Sequence, residues 1–403
     1  MTDSNPPGIL SGVRVVSFTH FYVGAGAAQY LGDLGAEVIK VEPKGTGAWE
    51  RSWSPGGTMI GDTSLLFMMG SRNTKSVAVD LKSEAGLRVA RELVASADVL
   101  IQNYRPGVLR RFGLDYESVR LLNPKIVYGS ASGYGLDGPF SDLPGQDYLL
   151  QAESGLLWMA QRPDGIAHYG APIVDMHSAT LLAFGVAAAL VRAQKTGIGE
   201  HIEVEMIRAA IELEAEPLLV YLNQGRYAHR TAPLTASYTL APGGVYATAD
   251  GHLALSQSPL TDVVRAMGVD VDFSDLGDLA DEFGAAFDAR ETIHERIAPF
   301  FREKTTAQWL EKLRAERVWC APVVSYEDIE NHPPVRAAEP FASVETFQGE
   351  AATLVKHPVK YGGKSPEISS VAPPLGSHTR IVLSGLGYSD HDIDELIRAG
   401  SVE

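Results

Sequence analysis

Over its first 130 residues the chain alternates short runs of β-branched residues with stretches of helical period, and this alternation limits the possible folds more than any other feature. Val13-Arg14-Val15-Val16-Ser17-Phe18 precedes a helical stretch at 27–34, and Ala36-Glu37-Val38-Ile39-Lys40-Val41 follows it. The grammar continues with Ser76-Val77-Ala78-Val79, a helix over 84–95, Val99-Leu100-Ile101, a helix over 116–122, and Ile126-Val127-Tyr128. Parallel strands need long crossovers, normally helical, so the pattern predicts an α/β fold: a mostly parallel sheet with helices on both faces.

Further along, 178–194 reads as a long apolar helix that ends on a basic turn at Lys195 and a glycine stop at Gly197. A strand at 201–204 then leads into a helix reaching about Leu222. After Gly225 the texture changes to a hairpin at 246–254 around Asp250-Gly251, followed by short helices to Ala315 and a turn-rich joint at Asn331-His332-Pro333-Pro334. A last helix is expected over 389–399. The expected organisation is therefore a large domain from 1–224, a smaller α+β domain from 225–331, and a linker and C-terminal part from 332–403.

Composition narrows the function. The 403 residues carry a formal charge of −16, and no local basic patch offsets it, which argues against a nucleic-acid partner. The single cysteine, Cys320, allows neither an internal disulfide nor a CxxC zinc site and suits a reducing compartment. The start, MTDSNPPG, lacks a signal peptide's apolar run, and the apolar run at 179–191 is too short to span a bilayer. The expectation is a cytoplasmic protein with no membrane partner. HExxH, Walker A and GxSxG patterns are missing, and in Gly129-Ser130-Ala131-Ser132-Gly133 alanine occupies the nucleophile position. No metal site is expected.

Three segments carry chemistry with two readings each. Gly24-Ala25-Gly26-Ala27-Ala28-Gln29 is near a dinucleotide fingerprint, but Gln29 replaces the third glycine and the segment sits well past the strand; close helix packing is the other reading. Asp175, in Pro172-Ile173-Val174-Asp175-Met176-His177, lies just before the long helix, where the dipole would keep a carboxylate ionised, as a nucleophile or as a plain helix cap. Asn103-Tyr104-Arg105-Pro106-Gly107-Val108-Leu109-Arg110-Arg111 follows a strand at the sheet's carboxyl edge, which suits either an anionic ligand or a solvated turn.

Taken together, the ordered segments resemble the class III CoA-transferases, the group of formyl-CoA and carnitine CoA-transferases. The matching stretches include 12–16, 34–43, Ser71-Arg72-Asn73-Thr74-Lys75-Ser76, Asn103-Tyr104-Arg105-Pro106-Gly107, 123–128, Ser132-Gly133-Tyr134-Gly135, Pro144-Gly145-Gln146-Asp147, 196–200, 244–251, 320–323 and 374–379, and so run through nearly the whole chain. The resemblance implies an interlocked homodimer in which a Rossmann-like large domain is built from both chain ends. It implies CoA and acyl-CoA as substrates, with no tightly bound cofactor, and a small carboxylic acid as the second substrate. Asp175 would be the nucleophile that carries CoA as an aspartyl thioester, with Asp147 close to it. Asn103, Tyr104 and Arg111 would touch CoA, Lys44, Arg72, Lys82 and Arg105 would be candidates for its phosphates, and His20 and Tyr22 would lie at the pocket edge. Pro242-Gly243-Gly244 resembles a closing glycine loop.

Departures separate the branches. Racemases of the same fold carry Gly-His-Asp where this chain has Gly145-Gln146-Asp147, and glutamine cannot shuttle a proton at neutral pH. Tyr22 stands where oxalate-using formyl-CoA transferases carry glutamine. The resemblance thus implies an acyl-CoA:carboxylate CoA-transferase, with three alternatives: a racemase-type isomerase, an intramolecular transferase on a dicarboxylic acid, and a silent CoA-binding protein.

Overall fold

The computed structural model describes residues 8–162, 165–225, 239–279 and 284–403. From the N-terminus, β1 (Arg14–Phe18), α1 (Val23–Asp33), β2 (Glu37–Pro43), α2 (Leu65–Ser71), β3 (Thr74–Val79), α3 (Glu84–Ala95), β4 (Val99–Gln102), α4 (Tyr116–Leu122) and β5 (Val127–Ser132) alternate as the sequence pattern requires. Then follow α5 (Asp147–Ser154), α6 (Ile173–Thr196), β6 (Glu200–Glu205) and α7 (Met206–Leu213). The six strands form one all-parallel sheet in the order β3-β2-β1-β4-β5-β6. Val16 of β1 pairs with Ile39 of β2 on one side and Leu100 of β4 on the other, and β1 is buried from Val15 to Phe18. Burial on both faces explains why these strands read as continuous apolar runs and do not alternate. The order reverses between β1 and β4, which opens a crevice beyond their carboxyl ends.

The main core sets Val16, Phe18, Ile39, Val77 and Leu100 against Leu93 of α3 and Tyr128 of β5. Leu383 and Ile393 from two C-terminal helices, and Val402 beyond them, close the same cluster.

Helix α1 begins at Val23, so the glycines of the Gly24-Ala25-Gly26 segment lie inside the helix and not in a phosphate-binding turn. A Cβ built on Gly26 would stand 3.4 Å from Cβ of Ala179 in α6, and one on Gly70 of α2 would stand 3.2 Å from Cβ of Ala25. The small residues serve close helix packing. Helix α6 likewise starts earlier than its apolar run suggests, at Ile173, and its 24 residues make it long and apolar enough to match a membrane span by length and composition, correcting the expectation drawn from 179–191. Its buried face, including Val174, Ser178, Leu182 and Val186, packs on the sheet, where a Cβ on Gly129 of β5 would meet Val186 at 3.0 Å and Leu182 at 3.2 Å. Tertiary contact lets the polar first turn join the helix.

By packing the chain forms two compact units, the first comprising residues up to Ser154, Gly170–Leu213 and Pro340–Glu403, the second Gly155–Tyr169 and Glu214–Glu339. These bounds differ from the expected joints at 224 and 331. The single helix expected after β6 is two, because Glu214 leaves helical geometry (φ −108°, ψ 16°) between α7 and α8 (Ala215–Gln224). In the second unit β7 (Gly244–Ala247), β8 (His252–Leu255) and β9 (Cys320–Pro322) form an antiparallel sheet. Its strands pack with α9 (Leu260–Met267), α10 (Arg290–Phe301) and α11 (Thr306–Ala315) around Tyr246, Phe301, Trp309 and Leu313. The hairpin at Asp250-Gly251 forms as expected, with Thr248 N–H on the Gly251 carbonyl at 2.9 Å.

In the first unit, β10 (Phe341–Glu345) and β11 (Ala351–Val355) make a separate hairpin, and α12 (Thr379–Gly385) and α13 (Asp390–Arg398) return to the sheet. Asp80 N–H bonds the Ser401 carbonyl at 2.9 Å, and Val402 bridges Val79 at the end of β3.

Replacing Gly26 by leucine should force α1 and α6 apart. We expect thermal or chemical unfolding to show a loss of about 1–3 kcal/mol, the usual cost of overpacking, while Gly26→Ala costs less.

Candidate active site

Two groups of residues assemble in the first unit. One surrounds the start of α6. Asp147, the first residue of α5, is buried, and its Oδ2 accepts the N–H groups of Val174 at 2.8 Å and Asp175 at 3.0 Å, while Oδ1 accepts from the Gln151 amide. The capping carboxylate of α6 is therefore Asp147, which comes from another helix. Asp147 reaches this place because Gly133, just past β5, and Gly145 press backbone on backbone, so that a Cβ on either would overlap the other. The two glycine-bearing motifs read separately in the sequence thus become one contact.

Asp175 is half-buried in the first turn of α6 and does not accept these N–H groups. Burial, with the neighbouring Asp147 charge adding to it, pushes its carboxyl up to about 7. That overturns the expectation that the helix terminus would hold it ionised. Tyr22, at the start of α1, has its ring against Gly26, which itself packs on Ala179 one turn along α6 from Asp175. Burial pushes the Tyr22 phenol up to about 12, with the charges of Tyr30 and Asp175 adding and Arg72 opposing. Gln146 is exposed and gives its carbonyl to Leu150 N–H.

The second group lies at the crevice between β1 and β4. The Asn103 side chain joins the two strand ends: its Oδ1 accepts His20 N–H at 2.8 Å and its Nδ2 donates to the His20 carbonyl at 2.7 Å. His20 stacks on Tyr104 with ring centroids 4.6 Å apart. Both belong to a cleft of about 930 Å³ that Lys44, Lys82, Arg105 and Trp49 also line. Lys44, Lys82 and Arg105 are exposed, which leaves three cations around a groove at the carboxyl edge of a parallel sheet, a favoured place for anionic nucleotide groups.

Two expected phosphate or CoA contacts are not brought here. Arg72 is buried and bound to Asp33 through Nε at 3.1 Å and Nη2 at 2.7 Å, with Nη1 on the Val355 carbonyl. The adjacent Asn73 accepts the N–H groups of Ser369 and Ser370 and donates to Asp33, so within the first unit this motif fastens the C-terminal segment to the N-terminal one. Arg111 sits exposed on the turn Leu109–Phe112, outside the cleft lining. Tyr22 is also outside that lining and belongs to the α1–α6 seam. Gly243 precedes β7 in the second unit and Gly244 is its first residue, and the Tyr246 hydroxyl donates to the Pro242 carbonyl at 2.6 Å.

Sequence reasoning passed over Lys40 and Glu50. They form a buried pair, Nζ to Oε1 at 3.0 Å, beneath the cleft. Lys40 reads as the polar member of a strand and Glu50 as a loop acid, and only a lysine inside an otherwise apolar run hinted at an internal partner.

The sequence model of CoA-transferase family III matches residues 10–379. The chain is 31% identical over 402 residues to the succinate–glutarate CoA-transferase of Agrobacterium fabrum, covering 96% of this chain and 97% of that protein. It is 30% identical to the succinyl-CoA:glutarate CoA-transferase of Mus musculus, covering all of this chain and 91% of the other. Among solved structures, Rv3272 of Mycobacterium tuberculosis in its orthorhombic form matches with a TM-score of 0.79 at 26% identity, over 94% of this chain and 99% of that one. A CAIB/BAIF family protein of Brucella suis matches with a TM-score of 0.78 at 25% identity, over 94% and 100%.

Two measurements test the local chemistry. In the fold the Asp175 carboxyl keeps its proton to about pH 7, whereas its ordinary value is 3.8, so folding takes up a proton between these limits and stability falls as pH rises through them. The stability of Asp175→Asn relative to wild type should therefore grow from about pH 4 to pH 7 and then level off. Arg72→Ala, which leaves Asp33 buried and without its guanidinium, should lose about 3–5 kcal/mol of stability, whereas Lys82→Ala at the exposed cleft edge should stay within about 0.5 kcal/mol of wild type.

Proposed function

Because the chain belongs to CoA-transferase family III and is a CoA-transferase, we propose that it moves CoA from an acyl-CoA to a free carboxylic acid through a thioester on Asp175. The observation that carries this reading is the state of Asp175: a carboxyl held near neutrality, with the backbone donors beside it already taken by Asp147. Once ionised, such a carboxylate is weakly stabilised and therefore reactive.

The chemistry proceeds by exchange and conserves the thioester's energy. The Asp175 carboxylate attacks the acyl carbonyl of the donor, the C–S bond breaks, and a mixed anhydride and CoA thiolate result. The thiolate then attacks the aspartyl carbonyl of the anhydride, which releases the donor's carboxylate and leaves aspartyl-CoA. The acceptor carboxylate attacks that thioester to give a second anhydride. The returning thiolate takes the acceptor acyl group, and Asp175 is free again. Each step trades one acyl bond for another, and the anhydrides survive only where water is kept away.

In this reading Asp147 is the positioning group. Its carboxylate holds the first turn of α6, and its charge adds to the larger effect of burial in raising the Asp175 carboxyl. CoA occupies the β1–β4 cleft, with its phosphates toward Lys44, Lys82 and Arg105. Gln146 cannot replace the histidine a racemase needs, and His177 is engaged with Glu212 at 2.9 Å, which favours transfer over isomerisation. The proposal extends to an interlocked homodimer, supported by the exposure of Phe184 and Val191, 71% and 51%, on the long helix that bears Asp175. Relatives named for succinate, glutarate, oxalate and malate direct the choice of acids toward small dicarboxylates.

The test is intact and peptide mass spectrometry after incubation with succinyl-CoA, glutaryl-CoA, acetyl-CoA and oxalyl-CoA, with and without hydroxylamine. Wild type should carry a CoA or hydroxamate mass on the Asp175 peptide, and Asp175→Asn should carry none. Turnover with an unmodified Asp175 peptide, or exchange of the α-proton without any acceptor, would overturn the transferase mechanism.

A further inference from the structure

The buried charges beneath the cleft have no part in the mechanism above, yet they are arranged around one ring that faces the ligand space. Glu50 lies in the turn Trp49–Arg51, is 1% exposed, and uses both carboxylate oxygens. Oε1 accepts from Lys40, whose ammonium also donates to the Thr19 carbonyl at 3.0 Å and to its hydroxyl at 3.2 Å. Oε2 accepts the N–H of Phe21 at 3.0 Å, and Phe21 has a left-handed backbone (φ 53°), an unfavourable state for a bulky residue. The same Oε2 lies 3.8 Å from Nδ1 of His20, a buried nitrogen with no hydrogen-bond partner. The Lys40 charge and these hydrogen bonds overcome the effect of burial and hold Glu50 down at about 2, so it is an anion at every working pH.

An anion facing a buried imidazole nitrogen selects the tautomer with its proton on that nitrogen. The ring is 31% exposed while Nδ1 is covered, so the accessible edge is the other one. We infer that Glu50 is a positioning residue for the CoA cleft: it keeps the His20 proton on Nδ1 and presents Nε2 as an acceptor to an N–H or O–H of the bound CoA thioester. The Asn103 clasp and the Tyr104 stack fix the ring plane, and Glu50 fixes which of its nitrogens donates. The functional half of this inference rests on the assignment of the cleft to CoA.

The test begins with the free enzyme, labelled with ¹⁵N-histidine, at a pH where His20 is neutral, and His20→Gln identifies its signals. Long-range proton–nitrogen correlation should show a protonated Nδ1 and a bare Nε2. In Glu50→Gln the population should shift toward Nε2–H, and KM for the acyl-CoA should rise about tenfold, the equivalent of about 1.4 kcal/mol, with kcat within about twofold. Glu50→Asp should recover most of the loss. Glu50→Gln leaves Lys40 buried without its partner, so Lys40→Met/Glu50→Gln, which removes both charges, serves where the single variant does not fold. It should show the same rise in KM. An Nε2–H tautomer in wild type overturns the inference, as does an unchanged KM in a folded variant with the shifted tautomer. If acyl-CoA binding is instead indifferent to Lys82→Ala and Arg105→Ala, the assignment of the cleft is what fails, and the tautomer measurement on the free enzyme stands apart from it.

Discussion

One carboxylate oxygen, Oδ2 of Asp147, takes up the N–H groups of Val174 and Asp175 in the first turn of the helix that bears Asp175, and much of the site's chemistry depends on that choice of partner. A helix start offers a limited number of unpaired donors, and a carboxylate that captures them is stabilised while a second one beside it is not. Asp147 therefore divides two acids of one family type into different roles. It takes the anion's place at the helix end, and Asp175 is left half-buried, beside a like charge, with its carboxyl raised toward neutrality. The geometry rests on two glycines, since any side chain at Gly133 or Gly145 would push apart the backbone segments that carry Asp147 to the end of α6.

The cleft has a different origin. A parallel sheet whose strand order reverses must leave a crevice beyond the reversing pair, and here β1 and β4 are that pair. Asn103 ties their ends with two hydrogen bonds, and the Lys40–Glu50 pair supports the floor. A buried ion pair adds little to stability on balance, because the cost of removing both charges from water offsets their attraction. Its contribution is direction. Glu50 keeps a strained Phe21 backbone and the His20 ring in one arrangement where an apolar filling would permit several.

Much of the fold was legible. The six strands of the parallel sheet, the α/β alternation, the hairpin at Asp250-Gly251 and the last helix all carry local signals: β-branched runs, a two-residue turn, and a Ser389 cap with Asp392 three residues on; β9 and the β10–β11 hairpin were not foreseen. The starts of α1 and α6 were not legible, because Gly24, Gly26 and the polar turn around Asp175 are poor helix formers that tertiary contact makes helical. The same limit applied to the cations. Lys82 and Arg72 look alike as candidates for an anionic ligand, yet one faces the cleft and the other is neutralised by Asp33 in the interior.

By itself the sequence determined the βα alternation of the large unit, that its sheet is parallel, and which acids and cations could serve a CoA-transferase, because these follow from periodicity, from turn residues and from motifs kept in order along the chain. Tertiary structure alone decided which acid caps α6 and which is left with its carboxyl raised, which arginine is structural, and which histidine nitrogen is covered. Each of those outcomes depends on what a side chain meets across the fold, where burial and a single neighbouring charge outweigh anything encoded by residues adjacent in sequence.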